Sequence, residues 1–496
     1  MNLPLRIPTP PELPRVFRTL LCGAVAALAT AAGAAATATS ESAAVEPARF
    51  TPYDFEANSG EVVAAELGEI WVPERRGTDG RRIKLQFVRF ASTSETPGPP
   101  IVYLAGGPGG SGIDTARGRR FPLFMALRRH ADVIALDQRG TGMSNSIEPC
   151  EPEARYPLEQ PLERELLLRL LTAASRECAA RWREQGVDLD GYNTLESARD
   201  LEDLRLSLGV PKVTLWGISY GTHLAFAMLR THPESVESAV LASMEGPDET
   251  IKLPSRTQSF LEGLEVLKQA DPGLERMRRV LERLEKEPIV VETQNPRGGD
   301  TVKLGIGRLD VQILTGFLIK NPETQAQIPM LYAALDSGNA AQVAPFFLRL
   351  RHYFGETMAG MPEAMEATSS VSPARRARVL AERDQALLGD TLNLPVLPDW
   401  SLSKALGVTE LPAAFRSPLR SKVPTLFLSG TLDGRTYPAS HRELAAGFSR
   451  STFLTIEGAG HDLFMSSPRV EERILDFLAR GVTSEKPITV SASPSR

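Results

Sequence analysis

Ser219 stands in the pentapeptide Gly217-Ile218-Ser219-Tyr220-Gly221, directly behind the apolar run Val213-Thr214-Leu215-Trp216 and ahead of a helical pattern from Thr222 to Arg230. Strand, G-x-S-x-G turn and helix, in that order, leave a chain little freedom. The turn is so tight that its serine takes a strained backbone conformation, which lifts the hydroxyl clear of the sheet edge. The positions two residues either side must lack bulk, and Gly217 and Gly221 meet that demand. The bare pentapeptide occurs by chance in many proteins. The flanking patterns make it a candidate nucleophile rather than a glycine-rich turn.

The rest of the chain repeats the same alternation. Ile70-Trp71-Val72, a turn at Asp79-Gly80, and Ile83, Leu85 and Phe87 read as a hairpin within residues 60–91. Ile101 to Leu104 is a short buried strand running into the glycine loop Gly106 to Gly112, and Val133 to Leu136 is another strand. A detour with a helical pattern from Leu162 to Trp182 follows. Asn193 or Thr194 then caps a helix whose face is Ala198, Leu201, Leu204 and Leu208. Strands separated by helices predict an α/β architecture, a mostly parallel sheet with helices on both faces. The rhythm breaks at 248–419, where helical periodicity dominates around a β excursion near Ile289 and Thr301. It resumes at 420–482. A mainly helical insertion into a core of 50–247 and 420–482 accounts for this, set over strand ends where ligands bind. The Ser- and Pro-rich tail 483–496 is expected to be disordered.

Arg6, Arg15 and Arg18 precede an apolar stretch from Leu20 to Ala32 and small-residue sites near Ala36, so residues 1–38 read as an export signal. The stretch is too short and alanine-rich for a good membrane span, and no stable membrane insertion is expected once it is removed. Cys150 and Cys178 then remain, and an exported chain with two cysteines invites a disulfide. The formal net charge of −5 argues against nucleic acid or an anionic membrane surface as a partner. The chain carries no Walker-type phosphate loop and no His/Cys cluster of zinc spacing, so neither metal nor other cofactor is expected.

A serine nucleophile needs a base, and the base an orienting carboxylate. Of six histidines, His130 and His352 lie beside arginines on helical surfaces and His441 opens a helix. His223 and His232 lie in or just after the helix behind Ser219, badly placed to take its proton. His461 follows the strand Thr452 to Ile456 and the flexible Gly458-Ala459-Gly460, where the serine–acid–histidine chain order requires the base. Asp433 follows the strand Thr425 to Leu428 and is the expected acid. Its competitor, Asp462, is adjacent to His461 and cannot easily reach back to Nδ1. The amides of Tyr220 and Gly107 are the expected oxyanion donors.

Gly106-Gly107-Pro108-Gly109-Gly110, Asp137-Gln138-Arg139-Gly140-Thr141-Gly142 with Ser144, Gly217–Gly221 and Gly460-His461 together resemble the proline iminopeptidase and tripeptidyl aminopeptidase group of α/β-hydrolases. The resemblance spans about residues 60–247 and 418–480. It implies an α/β-hydrolase fold with a helical cap, and serine peptidase chemistry at the free amino end of short peptides. Where iminopeptidases usually carry His before GGPG this chain has Ala105, which argues against strict proline specificity. Cutting near a free amino end requires an anionic group for the ammonium. Glu245, just past a strand end, is the expected candidate. Carboxylic-ester hydrolysis is the alternative, because the same machinery cleaves esters.

Overall fold

In chain order the strands are β1 Arg49–Glu56, β2 Val62–Pro73, β3 Arg82–Phe90, β4 Gly98–Leu104, β5 Ala131–Leu136, β6 Val213–Ser219, β7 Val236–Met244, β8 Ile289–Gln294, β9 Thr301–Ile306, β10 Thr425–Gly430, β11 Ser451–Glu457 and β12 Ile488–Thr489. The structure, a computed structural model, describes residues 45–490 apart from 271, 296, 297, 356 and 395. The expected export signal at 1–38 lies outside the described residues, as does the tail beyond Val490.

Ten strands form one sheet in the order β1-β2-β3-β5-β4-β6-β7-β10-β11-β12. The pairs β1–β2, β2–β3 and β3–β5 are antiparallel; every pair from β5–β4 to β11–β12 is parallel. Parallel strands are covered on both faces, which explains their unbroken apolar runs. Along β6, Val213 and Leu215 enter one core while Trp216 and Ile218 enter the other. Helices Thr194–Ser207 and Tyr220–Thr231 cover the first face, and Gly112–Arg117, Phe121–Leu127 and Pro468–Arg480 the second. Asn193 caps the helix Thr194–Ser207 by accepting the Glu196 N–H. Trp216 is the aromatic centre of the second face, packed on Tyr103, Phe124 and Phe464. Its truncation to alanine would cost about 3–5 kcal/mol.

β4 neighbours β5 on one side and β6 on the other, so the direction of winding reverses there. A crevice opens outside the carboxyl ends of strands at such a reversal. The glycine loop and Ser219 leave the sheet at that crevice.

Between β7 and β10 the chain builds a series of helices, among them Gly273–Lys286, Arg308–Leu318, Ile328–Asp336 and Met361–Ser369, plus the antiparallel pair β8–β9. In Gly273–Lys286 the buried residues Met277, Val280, Leu281 and Leu284 make one stripe. They join Leu304, Val311 and Phe347 in a third apolar core, to which Leu162 and Leu167 of the earlier detour also belong. The insertion does not separate as a body of its own: residues from Val45 onward form one compact unit.

One expectation needs correction, and one strand was not foreseen. The stretch before residue 60 contains β1, an edge strand that tolerates Pro52 because an edge need not donate on both sides. The tail expected to be disordered from 483 supplies β12, pairing Ile488 with Ile456 and burying Ile488 in the second core. The segment is also held by Val490 N–H donating to the Glu457 carbonyl (2.9 Å) and by Glu485 accepting the Phe453 N–H (2.9 Å).

Candidate active site

Ser219 ends β6 and precedes the helix Tyr220–Thr231, with φ 55° and ψ −128°. A positive φ in a residue other than glycine marks a strained position. The flanking glycines are required by close approach. A Cβ on Gly217 would lie 2.8 Å from the Gly221 carbonyl oxygen, and one on Gly221 would lie 2.0 Å from that of Leu104. Gly106, two residues past β4, packs against the Ser219 side chain.

Asp433 and His461 come from the loops after β10 and β11. His461 Nδ1 lies 3.0 Å from Asp433 Oδ2 and 3.1 Å from Oδ1. Asp433 is fully buried and also accepts the N–H groups of Arg435 and Thr436, each at 2.9 Å, and the Thr436 hydroxyl at 2.8 Å. Burial alone would raise its pKa. The facing His461 and these donors override burial and hold the carboxyl well below the usual range. The competing Asp462 is committed elsewhere, its Oδ1 lying 2.6 Å from Arg120 Nη2. The His461 loop is also tied down. Its N–H donates to the Lys320 carbonyl (3.0 Å), its carbonyl accepts the Ser243 hydroxyl (2.8 Å), and Asp462 N–H donates to Asn321 Oδ1 (3.0 Å).

Ser219, His461 and Gly107 line one cavity of about 700 Å³. Tyr220 opens its helix, so its N–H has no intrahelical acceptor, while its side chain turns into the core. The loop carrying Gly107 is braced from below. Asp137 accepts the Ser111 hydroxyl (2.6 Å) and Ile113 N–H (3.1 Å) on one oxygen and Met143 N–H (2.8 Å) on the other. Gln138 donates to the Ala105 carbonyl (3.0 Å). Arg139, wholly buried, grips Asp200 in a two-point pair at 2.7 and 2.6 Å. The segment from Asp137 to Ser144 is thus a bracket beneath the glycine loop. Sequence reasoning noticed it as a motif without giving it that work.

Glu245 does not line the cavity. It is buried with Lys252 Nζ 2.5 Å from its Oε2, and that pairing leaves no free charge for a substrate ammonium. The expectation for Glu245 is therefore withdrawn. Three carboxylates line the cavity: Asp462, which Arg120 neutralises, and Glu363 and Glu366, on the insertion helix Met361–Ser369. This helix lies over the glycine loop, Pro362 so close to Gly109 that a Cβ there would be 2.6 Å from Pro362 Cγ. Glu363 is partly spent on its own helix, accepting Gly360 N–H at 2.8 Å. Glu366 makes no ion pair among the described residues, and burial pushes its carboxyl up to about 8, against the opposing pull of Arg435. The signal for these two was an i, i+3 pair of glutamates in an otherwise small and apolar helix.

Cys150 and Cys178 are joined by a disulfide with Cα atoms 5.7 Å apart. Among the described residues no cluster of His, Cys, Asp and Glu could hold a metal ion, and no helix is long and apolar enough to cross a membrane.

A serine at a strained strand–helix turn at the winding reversal of a mostly parallel sheet defines a class, and the chain belongs to it: it is a member of the α/β-hydrolase fold family, whose model matches residues 99–468. Within that family it is similar to a tripeptidyl aminopeptidase of Streptomyces lividans, 31% identical over 183 residues, 34% of this chain and 33% of that protein. It is also similar to the serine protease Hip1 of Mycobacterium tuberculosis, 28% over 191 residues, 37% and 36% of the two chains. A proline iminopeptidase of Xylella fastidiosa is 29% identical over 144 residues, 29% and 32%. The matches span about a third of these curated relatives' length. Among solved structures, a thermophilic esterase from Thermogutta terrifontis aligns with a TM-score of 0.37 at 19% identity, covering 84% of this chain and 99% of that one.

Proposed function

We propose that this hydrolase is an exported serine aminopeptidase acting on short peptides with a free amino end. The observation that carries the reading is the composition of one cavity: Ser219, His461 and Gly107 on the sheet side, with Glu366 facing them from the insertion. Ser219 Oγ attacks the scissile carbonyl as His461 takes its proton. Asp433 holds Nδ1 and stabilises the imidazolium that forms. The amides of Tyr220 and Gly107 stabilise the oxyanion, and His461 then protonates the departing amine. Water, activated by the same imidazole, hydrolyses the acyl-enzyme. Glu366, with Glu363 behind it, takes the ammonium end and thereby sets how far from the terminus the cut falls. Relatives named as peptidases support the substrate class. The disulfide supports an oxidising compartment, and with it export.

The test is a set of peptide amides offered with free and N-acetylated ends, together with labelling by a fluorophosphonate. A labelled Ser219 and a strong preference for the free amine are expected. Equal cleavage of blocked and free peptides would replace the aminopeptidase with an ester hydrolase.

A further inference from the structure

The cavity holds two cations that the mechanism does not use. Lys320, just past the helix Arg308–Leu318, and Arg435, two residues beyond Asp433, both line it. Neither forms an ion pair among the described residues. Lys320 Nζ sits over the Phe317 ring, 4.6 Å from its centroid, and Arg435 Nη1 donates to the Leu392 carbonyl at 2.7 Å. The third cavity cation, Arg120, is the contrast: Asp462 neutralises it. Lys320 and Arg435 are half-buried, and charges drawn out of water are as a rule paired, because desolvation without a partner is costly. Two cations without a close ion pair face one open cavity, Arg435 acting on Glu366 only across a longer gap, and that leaves the close pairing to a ligand.

Their position specifies which part of the ligand. The Lys320 carbonyl accepts the His461 N–H, so Lys320 is fixed to the flank of the base. His461 must deliver a proton to the departing amine, so this flank is the leaving-group side. The ammonium end is assigned to Glu366 on the helix over the glycine loop. We propose that Lys320 and Arg435 form a carboxylate subsite on the leaving-group side of the cavity, so that the preferred substrates are short peptides carrying an anion just beyond the cut. This rests on the aminopeptidase reading for its substrate class. The anion is either the peptide's own terminal carboxylate or an acidic side chain in the leaving portion. Supporting this, burial and the neighbouring Arg435 push the Lys320 ammonium down to about 8, a charge held at a cost that an incoming carboxylate relieves.

The experiment measures ratios of kcat/KM within each enzyme form, so any general loss of activity cancels. One pair is a short alanine peptide with a free carboxyl end against its C-terminal amide. A second is an amidated peptide with glutamate in the leaving portion against the glutamine version. A third is 4-carboxyphenyl butyrate against 4-carbamoylphenyl butyrate, which carries the anion without any peptide. The expected result is a preference of about tenfold or more for the anion in the ester pair and in at least one peptide pair. Lys320→Met should collapse it and Lys320→Arg retain it; the backbone carbonyl that holds His461 is present in both. The first peptide pair responding identifies the terminal carboxylate, the second an acidic side chain. Ratios near one in all three pairs, or a preference untouched by Lys320→Met, would overturn the subsite. Peptides left uncut beside a Lys320-dependent ester preference would keep the subsite and remove the peptidase reading instead.

Discussion

The two walls of the cavity are built on opposite principles. On the sheet wall the groups that carry the chemistry are satisfied: Asp433 accepts from His461, Arg435 and Thr436, and the glycine loop is held by Asp137 and Gln138. On the insertion wall Glu366 and Lys320 face the cavity without ion-pair partners among the described residues. A site that must present the same geometry to every transition state benefits from groups already locked. A site that must recognise charged ligands benefits from groups left in need of partners, since each then gains more on binding than a solvated charge would. On the proposed reading, chemistry belongs to one wall and selection to the other.

The comparison breaks first at Ser219. Ser219→Ala should lower kcat by about 10⁶-fold on peptide and ester alike, with an unchanged thermal melt. Residual turnover by a contaminant-free mutant above that level would remove the serine from the chemistry. Asp433→Asn should lose about 10⁴-fold, because the amide favours the wrong imidazole tautomer. Asp462→Asn, which only frees Arg120, should lose far less; the reverse ranking would exchange the two acids.

The insertion wall is sharpened by Glu366→Gln. The free-amine over N-acetyl ratio of kcat/KM should exceed tenfold in the wild type and fall close to one in the mutant, mainly through KM, since a charge-assisted pair is worth about 2 kcal/mol. The sign of the pH dependence follows from burial. With its carboxyl pushed up to about 8, Glu366 is mostly protonated at neutral pH and gains its charge as the pH rises through that value. The substrate ammonium loses its charge at about 8 as well. The ratio should therefore peak near that pH and fall on both sides. The acidic limb should vanish in Glu366→Gln. A ratio that is flat across this range would leave Glu366 without a role.

The same contrast explains what the sequence makes legible. The turn at Ser219 writes its sterics into glycine spacing, and the facing pair Asp433 and His461 could be picked out because each follows a strand by a few residues. The insertion wall has no such local signature. Its Glu366 and Lys320 meet Arg435 of the loop after β10 only through the third dimension, and a glutamate pair on a helix reads equally as a solvated face. Glu245 misleads for the opposite reason. It lies correctly past a strand end, but Lys252, seven residues on, folds back and neutralises it. Ile488 is one buried residue in a polar tail, too brief a pattern to register as a strand.

The smallest effect on catalysis is expected from the disulfide, and it separates the walls most cleanly. Cys150 forms a bridge with Met358, and Cys178 lies on the helix Arg164–Glu184 that supplies Leu171 and Ala174 to the cavity. The bond therefore pins cavity lining that belongs to neither of the loops carrying Asp433 and His461. With the cysteines 28 positions apart, the chain-entropy model gives the link about 3–4 kcal/mol of stability. Unreduced, alkylated protein should show both cysteines unmodified by mass spectrometry. The double variant Cys150→Ser/Cys178→Ser should melt at a lower temperature and raise KM for peptides modestly, while kcat on a simple ester stays within about twofold of wild type, as expected when the locked wall is untouched. An ester kcat that fell with the melting temperature would mean that the two walls are mechanically one, and the division between chemistry and selection would have to be abandoned.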